Sequence, residues 1–362
     1  MIMKSKLLSI LGLLCTVATL AQTDDWYLLT KVSEITKIIP DDVSTNELHL
    51  ATDIGYIKYN TSTNSVTDFL NLTSQNPAIA KVKDVALDPT SNDIAFTLMD
   101  GIGIYDGNTI TTYSYDGSDL TIGQSTSQFL YLQVEYAKDG SLYIYKEDAL
   151  GYQIFDSGIF ETEEVTPFRP QDIIENNTGT KAYFAGDNNG LWELEKGTMT
   201  WTNFTISNSD LVSNALTSFH IDQNDLLHIG SFQGISTLNS LGVWNTYQML
   251  EPVNNIQYYS AFEISKDETT GDLLVRTSSP SLNYFGLSIV DLDTNTWTNY
   301  REDNLNCLNE NLYTATAFGG NGNVYAAPQI FSSITDVGKL VEFTPSTESC
   351  SITNINYLNA PV

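Results

Sequence analysis

The sequence of 362 residues predicts an all-β fold, a single β-propeller of seven blades with four antiparallel strands each. Three observations predict it. The chain is rich in Tyr and poor in charged residues, and no convincing amphipathic helix follows residue 22. Short apolar runs alternate with polar turns. A glycine followed by such a run recurs at intervals of 39 to 52 residues, which is typical of propeller blades. The seven glycines are Gly55, Gly101, Gly151, Gly190, Gly234, Gly286 and Gly338.

The clearest repeat runs from Asn214 to Asn245. Its apolar runs are Leu216–Ile221, Leu226–Ile229 and Ile235–Leu238, and a fourth run opens at Trp244. Four short runs joined by three tight turns predict one antiparallel meander. A single four-stranded sheet cannot bury both of its faces, so it needs neighbouring sheets packed against it.

The same order of elements holds along the chain. A polar turn separates the first two strands of each blade, and we expect the glycine to open the third strand because the preceding turn requires a positive φ. The second strands are predicted at Glu47–Thr52, Asn92–Thr97, Ser141–Tyr145, Ala182–Gly186, Leu226–Ser231, Leu273–Ser278 and Asn323–Ala327.

Several fourth strands share a Trp-x-x-aromatic pattern, starting at Trp201, Trp244 and Trp297. We interpret these aromatics as core packing between blades, with sugar stacking as the alternative. Trp26–Leu29 resembles a fourth strand at the start of the chain, and Ser351–Asn356 lies where the last blade's own fourth strand should be. We expect the N-terminal segment to close the ring, because closure removes a free strand edge.

The N-terminus predicts a signal peptide spanning residues 1–21. Lys4 and Lys6 precede the apolar stretch Leu7–Leu20, and Ala21 offers a small residue for cleavage before Gln22. The apolar stretch is short for a retained membrane anchor, and no later segment reaches membrane-spanning length. We therefore expect an exported single-domain protein of residues 22–362, at a periplasmic, cell-surface or extracellular location.

The formal net charge is −28, and loss of the two N-terminal lysines would make it more negative still. Such a surface repels nucleic acid and anionic membranes. Solubility outside the cell explains the charge, with an acidic face for cations or basic partners as the alternative. In an oxidising compartment Cys307 and Cys350 could form a disulfide.

The clearest repeat contains a strand-turn-strand motif, with His228 inside its second strand. The residues of the motif are Asp222, Leu227, Ile229, Gly230, Ser231 and Gly234. The motif resembles the two-component regulator propeller repeat, in which a Trp occupies the position of His228. The resemblance implies a stand-alone exported propeller of a Bacteroidetes-like type. Family members are often extracytoplasmic sensors of glycan-derived ligands. This chain shows no transmembrane, kinase or DNA-binding segment, so the resemblance implies binding without a signalling domain of its own.

Four aspartates lie one to three residues before a repeat glycine, and the corresponding turns share one face of a propeller. They are Asp53, Asp100, Asp148 and Asp187. Turn chemistry explains an Asp in this position well. The alternative is a metal site for calcium, although no D-x-D-x-D-G loop is present. We expect no other cofactor.

The turns between second and third strands lengthen in blades six and seven, where binding residues tend to sit. Neutral drift of surface loops is the alternative explanation. The candidate ligand-binding residues in or beside these loops are Arg276, Tyr284, Phe285 and Phe331.

No catalytic motif is present, and His49 and His228 occupy equivalent strand positions that indicate structural roles. We expect a monomer that binds a glycan, peptide or protein partner on one face, without catalysis. Two alternatives stay open, a propeller-fold polysaccharide lyase or glycosidase and a structural component of the cell surface. Convergence of Arg, His, Tyr and carboxylates in the central channel would favour the enzyme.

Overall fold

The computed structural model describes the chain in eleven segments. They are residues 32–41, 44–72, 82–98, 101–114, 120–121, 132–146, 149–248, 260–278, 286–301, 312–329 and 338–355. No helix occurs in these segments, and so none that is long and apolar enough to cross a membrane. The described strands form seven sheets, each with four antiparallel strands, which confirms the predicted seven-bladed propeller.

Each blade uses four consecutive strands of the chain, paired in sequence order. Blade 1 contains β1 (Ile35–Pro40), β2 (Glu47–Thr52), β3 (Gly55–Asn60) and β4 (Ser65–Asn71). Blade 2 contains β5 (Val85–Leu87), β6 (Ile94–Leu98), β7 (Gly101–Tyr105) and β8 (Ile110–Ser114). Blade 3 contains β9 (Leu132–Tyr136), β10 (Leu142–Lys146), β11 (Tyr152–Asp156) and β12 (Ile159–Phe160).

Blade 4 contains β13 (Pro170–Glu175), β14 (Lys181–Gly186), β15 (Gly190–Glu195) and β16 (Thr200–Phe204). Blade 5 contains β17 (Leu216–Ile221), β18 (Leu227–Ser231), β19 (Gly234–Leu238) and β20 (Trp244–Tyr247). Blade 6 contains β21 (Ser260–Lys266), β22 (Leu273–Ser278), β23 (Gly286–Asp291) and β24 (Thr296–Tyr300). Blade 7 contains β25 (Tyr313–Phe318), β26 (Val324–Pro328), β27 (Lys339–Thr344) and β28 (Ser349–Asn354).

The repeat glycines are needed for two reasons. Gly55, Gly190 and Gly234 have φ values of 145°, 77° and 119°, and Gly151 has 136°, which confirms the predicted positive φ at these four of the seven repeat glycines. A Cβ atom on Gly55, Gly190 or Gly234 would also lie 2.0 to 2.5 Å from a carbonyl oxygen at the end of the blade's fourth strand. The glycine therefore lets the third and fourth strands approach each other closely at the turn.

The hydrophobic core lies between adjacent blades rather than within one blade. Ala51 and Tyr56 of blade 1, for example, pack with Val85 and Phe96 of blade 2. Removing such apolar surface from water stabilises the ring by roughly 25 cal/mol per Å². The three fourth-strand tryptophans join these clusters and confirm the predicted core role: Trp201, Trp244 and Trp297.

Among the described strands, the last blade takes all four of its strands from the C-terminal part of the chain. The fourth strand of blade 7 is β28 from the end of the chain, so the expectation that Trp26–Leu29 supplies it is wrong. Trp26–Leu29 itself lies outside the described residues. Ile35 packs in one cluster with Ala315 and Leu340. The Thr314 hydroxyl donates to the Ile35 carbonyl across 2.5 Å. Side-chain packing and single hydrogen bonds thus join the first and last blades.

The first strands of five blades carry a β-bulge near their start, at Ile35/Lys37, Pro170/Asp172, Leu216/Ser218, Ala261/Glu263 and Tyr313/Ala315. A bulge leaves one extra residue unpaired and re-aims the side chains around it. The bulged residues all line a cavity on the propeller axis: Thr36, Gln171, Thr217, Phe262 and Thr314.

Candidate functional site: a cavity on the propeller axis

The axial cavity has a volume of about 830 Å³. That volume lies in the usual range for small-molecule sites, roughly 300–1,000 Å³. All seven blades contribute to its wall. One wall residue from each blade, in blade order, is Lys37, Asp84, Gln133, Asp172, Thr217, Glu263 and Thr314.

Phe232, Phe262 and Arg276 form what we call the cavity mouth. Phe232 lies in the turn between β18 and β19 and is 48% exposed. Its ring meets the ring of Phe262 edge-to-face, with centroids 5.5 Å apart. The Arg276 guanidinium lies over the Phe262 ring, 5.9 Å from its centroid. Two adjacent blades therefore present an aromatic pair and a cation to solvent at the cavity opening.

Arg276 is held in place by blades 6 and 7. Its Nη1 donates to the Tyr313 carbonyl oxygen over 3.2 Å, and its Nε lies 3.3 Å from a Glu263 carboxylate oxygen. Both contacts fix the guanidinium plane beside Phe262. The residue that sequence analysis singled out thus lies in the cavity wall.

Three carboxylates of the wall tie their own blade to the next one. Each accepts a hydrogen bond from a backbone N–H on the first strand of the following blade. The pairs are Asp84 with Val134 (3.0 Å), Asp172 with Phe219 (2.6 Å) and Glu263 with Thr316 (3.0 Å). A charge-assisted bond to an otherwise buried donor is worth more than a neutral one. These acids therefore have a structural role whatever the cavity binds.

Lys37, Tyr145 and Asp172 form what we call the cavity floor. Glu135 is not part of the cavity wall, but the charges of Lys37 and Asp172 act on its carboxyl group. The Lys37 ammonium lies 3.4 Å from an Asp84 carboxylate oxygen, and that carboxylate raises the pKa of Lys37. The Tyr145 hydroxyl donates to Asp172 over 3.4 Å. Burial raises the pKa of the Tyr145 phenol well above its usual value, so it stays protonated.

Burial also raises the pKa of two carboxyl groups, Asp172 in the cavity floor and Glu135 near it. It raises the pKa of Glu135 to about 8, although Lys37 acts in the opposite direction. It raises the pKa of Asp172 to about 6, again against the effect of Lys37. Near neutral pH, therefore, Glu135 is largely protonated and Asp172 is largely ionised.

The structure describes two of the four aspartates that precede a repeat glycine, Asp53 and Asp187. Asp53 accepts hydrogen bonds from the backbone N–H groups of Ser33 (2.9 Å) and Glu34 (3.1 Å), so its carboxylate ties the turn to the segment that precedes β1. Asp187 lines the cavity and accepts a bond from the Asn188 amide over 2.7 Å. Within the described segments no group of three or more His, Cys, Asp or Glu residues could hold a metal ion.

The other predicted site residues lie outside the described residues: Asp100, Asp148, Tyr284, Phe285, Phe331 and Cys307. Cys350 is disulfide-bonded and packs against the blade 6–blade 7 core. Its pairing with Cys307 stays a prediction.

The histidines lie away from the cavity wall. His49 contacts the Tyr56 hydroxyl (2.7 Å) and Asp41 (3.1 Å). His228 is fully buried and pairs in register with His220 on the neighbouring strand. Burial lowers the pKa of both His49 and His228. These contacts agree with structural roles.

Sequence analysis missed Phe232, Phe262, Lys37 and Glu135. A signal for the inner strands was present, because an acid directly precedes the apolar alternation in KDVAL, QDIIE and FEIS. The aromatics carried no such signal. Phe232 stands in an ordinary turn, and Phe262 reaches the axis because it is the bulged residue of β21.

Comparison with known proteins gives fold relatives. No protein-family model and no curated protein sequence matches the chain. A streptogramin B lyase structure matches with a TM-score of 0.59 at 15% identity, over 82% of this chain and 91% of that one. A catalytically inactive histidine-to-alanine variant of virginiamycin B lyase from Staphylococcus aureus, with quinupristin, matches with 0.60 at 14% identity, over 82% and 92%.

The extracellular domain of a hybrid two-component system from B. thetaiotaomicron matches with a TM-score of 0.57 at 17% identity. It covers 91% of this chain and 47% of the domain, so the chain spans about half of that domain's length. At such low sequence identities these structures support the propeller fold alone. The function has to be inferred from the residues of the cavity.

Proposed function

We propose that this chain is an exported propeller that binds an oligosaccharide in the axial cavity, with one sugar stacked on the cavity mouth. The observation that carries the proposal is the Phe232–Phe262 ring pair, in which Phe232 is 48% exposed, at the opening of a polar cavity. A pyranose presents a face of C–H groups that packs on an aromatic ring, and hydroxyls that need hydrogen bonds. The aromatic rings of the cavity mouth can pack on the C–H face, and the polar groups of the cavity wall can bond the hydroxyls.

The wall below the aromatics is dense in polar groups that are not charged. Threonine hydroxyls and glutamine amides from several blades line it, including Thr36, Gln133, Gln171 and Thr217. A hydroxyl that donates to a backbone carbonyl, as Thr36 does to Val82, still has lone pairs for a ligand. Such a wall can hydrogen-bond many sugar hydroxyls at once.

The address outside the cytoplasm is part of the proposal. It is supported by the predicted signal peptide, by the acidic composition and by the resemblance to two-component regulator propellers. The glycan class is supported by the same resemblance together with the cavity mouth. A peptide or protein partner on this face is the competing ligand class.

Titration calorimetry of the full mature chain against oligosaccharide panels tests the proposal. The panels are neutral (gluco-, xylo- and manno-oligosaccharides) and acidic (oligogalacturonates). We expect Phe232→Ala to weaken binding about 3- to 10-fold, the usual worth of one aromatic contact. Leu241→Ala is the matched control, since Leu241 is 86% exposed on the same blade but lies in the turn at its opposite end. Equal affinities of the two variants, or no binding by the wild type, would contradict the proposal.

A catalytic role is the second candidate, and the cavity floor favours it. Lys37, Tyr145 and Asp172 converge there, and a carboxylate with a pKa of about 6 suits a general base near neutral pH. Incubation of the wild-type protein with the same oligosaccharides tests this candidate. New reducing ends would indicate hydrolysis, and ultraviolet-absorbing unsaturated products would indicate elimination. Unchanged oligosaccharides would contradict the catalytic role and favour binding without catalysis.

A further inference from the structure

We infer that the wall of the axial cavity at blades 4 and 5 recognises ammonium groups, and that the ligand is therefore an oligosaccharide of amino sugars. The residues that contact the ammonium nitrogens are Asp187, Asp172 and Ser218. This inference rests on the proposed function and specifies its ligand class.

The charges of the cavity wall are unbalanced. Three basic residues face five acidic ones, which leaves a formal charge of −2. Two of the cations are already engaged, Lys37 by Asp84 at 3.4 Å and Arg276 by Glu263 at 3.3 Å. In a cavity that excludes part of the water, an excess of carboxylates attracts a cationic ligand group. The charged wall residues are Glu34, Lys37, Lys83, Asp84, Asp172, Asp187, Glu263 and Arg276.

The two acids of blade 4 carry this excess. Asp172 accepts hydrogen bonds from neutral donors, the Tyr145 hydroxyl (3.4 Å) and the Phe219 backbone N–H (2.6 Å). Asp187 accepts one from a neighbouring side-chain amide over 2.7 Å. Among the described residues no cation forms an ion pair with either carboxylate, and Lys37 acts on Asp172 only at longer range. Each carboxylate can therefore still bind an ammonium group by a charge-assisted hydrogen bond.

Ser218 is an independent sign of a ligand beside Asp172. It lines the cavity and is 8% exposed, and its buried hydroxyl has no hydrogen-bond partner among the described residues. It directly precedes Phe219, whose N–H donates to Asp172, and its register partner Gly230 has no side chain that could bond it. Buried hydroxyls are nearly always hydrogen-bonded. Rotation about the Cα–Cβ bond can turn this one toward a ligand N–H in the cavity.

Asp187 lies at the level of the aromatic pair. It directly follows β14, as Phe232 directly follows β18, so the two residues occupy the same turn position in adjacent blades. A carboxylate and an aromatic ring together suit an ammonium group, through the ion pair and the cation–π interaction. A sugar that stacks on the cavity mouth can thus place its amino group beside Asp187.

The second carboxylate lies further along the same blade. The register partner of Asp172 is Ala185, two residues before Asp187, so the two carboxylates are roughly 7 Å apart along the strand direction. An oligomer of amino sugars carries one ammonium group per ring. Successive rings can therefore contact Asp187 first and then Asp172 with Ser218.

The test is titration calorimetry of the full mature chain at pH 6.5 with three β-1,4-linked oligomers of equal length, built from glucosamine, N-acetylglucosamine or glucose. The rings differ at one substituent, which is an amine, an amide or a hydroxyl. At this pH Asp172, with a pKa of about 6, is mostly ionised, and contact with a carboxylate favours the protonated amine. We expect the glucosamine oligomer to bind about 10- to 100-fold tighter than the other two.

Two variants assign the residues. Asp187→Asn should weaken binding of the glucosamine oligomer about 3- to 10-fold and leave that of the glucose oligomer unchanged. Ser218→Ala should weaken it by a similar factor without lowering the melting temperature, because the hydroxyl bonds no described residue. Asp293→Asn is the matched control, since it removes the same charge from an exposed turn between β23 and β24, away from the cavity wall.

Each other outcome overturns a defined part. A glucosamine oligomer that binds no tighter than the glucose oligomer would overturn the amino-sugar class and leave the proposed function standing. Equal affinities of Asp187→Asn, Ser218→Ala and Asp293→Asn would overturn the assignment of these residues. Spermidine binding as tight as that of the glucosamine oligomer would show recognition of charge without the sugar. Absence of binding by all three oligomers would overturn the proposed function and this inference together.

Discussion

The cavity mouth and the cavity floor belong to the same cavity but differ in chemistry. The mouth, from blades 5 and 6, is aromatic and partly exposed, and its one cation is held by neighbouring strands. The floor, from blades 1, 3 and 4, carries a lysine, a phenol and a carboxylate, and the Glu135 carboxyl group lies near it. A partly exposed aromatic pair supplies contact area at little cost to folding. A cluster of charged groups that is partly removed from water is costly to form, and its protonation depends on pH.

The largest expected effect concerns Glu135 and folding stability. Its pKa in the folded chain, about 8, lies above the usual value of 4.5. The folded state therefore binds the proton more tightly than the unfolded state. The resulting contribution to stability is fully present below about pH 4.5 and is lost as the pH rises toward 8. Glu135→Gln should remove this loss and raise the free energy of unfolding by about 2–4 kcal/mol at pH 8 but little at pH 4.5.

Urea unfolding of wild type and Glu135→Gln at several pH values measures this difference. Asp187→Asn serves as the control and should follow the wild-type curve. Parallel stability curves for wild type and Glu135→Gln would show that the cavity floor carries no pH dependence, and the contrast with the mouth would lose its electrostatic part.

Asp84 should show the next effect, because its carboxylate joins blade 2 to blade 3 and also holds Lys37. Asp84→Ala leaves the Val134 N–H and the Lys37 ammonium without that partner. We expect a loss of about 2–3 kcal/mol in the free energy of unfolding. Asp187→Ala removes a contact with the Asn188 amide and should change the free energy of unfolding by less than about 0.5 kcal/mol. Similar losses in both variants, measured by urea denaturation, would argue against a structural role particular to Asp84.

The smallest stability effect is expected at the cavity mouth. Arg276→Ala removes one bond to the Tyr313 carbonyl, a partly exposed ion pair and a cation–π contact. Such contacts are each worth about 1 kcal/mol or less, so the unfolding free energy should fall by about 1 kcal/mol. Oligosaccharide affinity should fall at the same time. A variant with reduced stability but unchanged affinity would remove Arg276 from the binding site and leave the aromatic pair alone.

The blade count was predictable because each blade is signalled by residues that lie close together in the sequence. The glycine at the start of a third strand is required by its turn and by a carbonyl group of the same blade, as at Gly234 and Tyr247. Strand positions followed from the same turns, and the tryptophans of the fourth strands were recognised as core residues. The closure was predicted wrongly, because Trp26–Leu29 and β28 offered similar apolar runs and local sequence does not rank them.

By itself, then, the sequence determined the fold class, the number of blades and two wall residues of the cavity, Arg276 and Asp187. The tertiary structure decided which side chains meet on the axis. Lys37, Tyr145 and Asp172 lie on three different blades, and Phe232 and Phe262 on two more. Each is a single unremarkable residue in its own repeat. They become a site only when seven blades close into a ring, since bulges and strand twist then aim one side chain per blade at the same point.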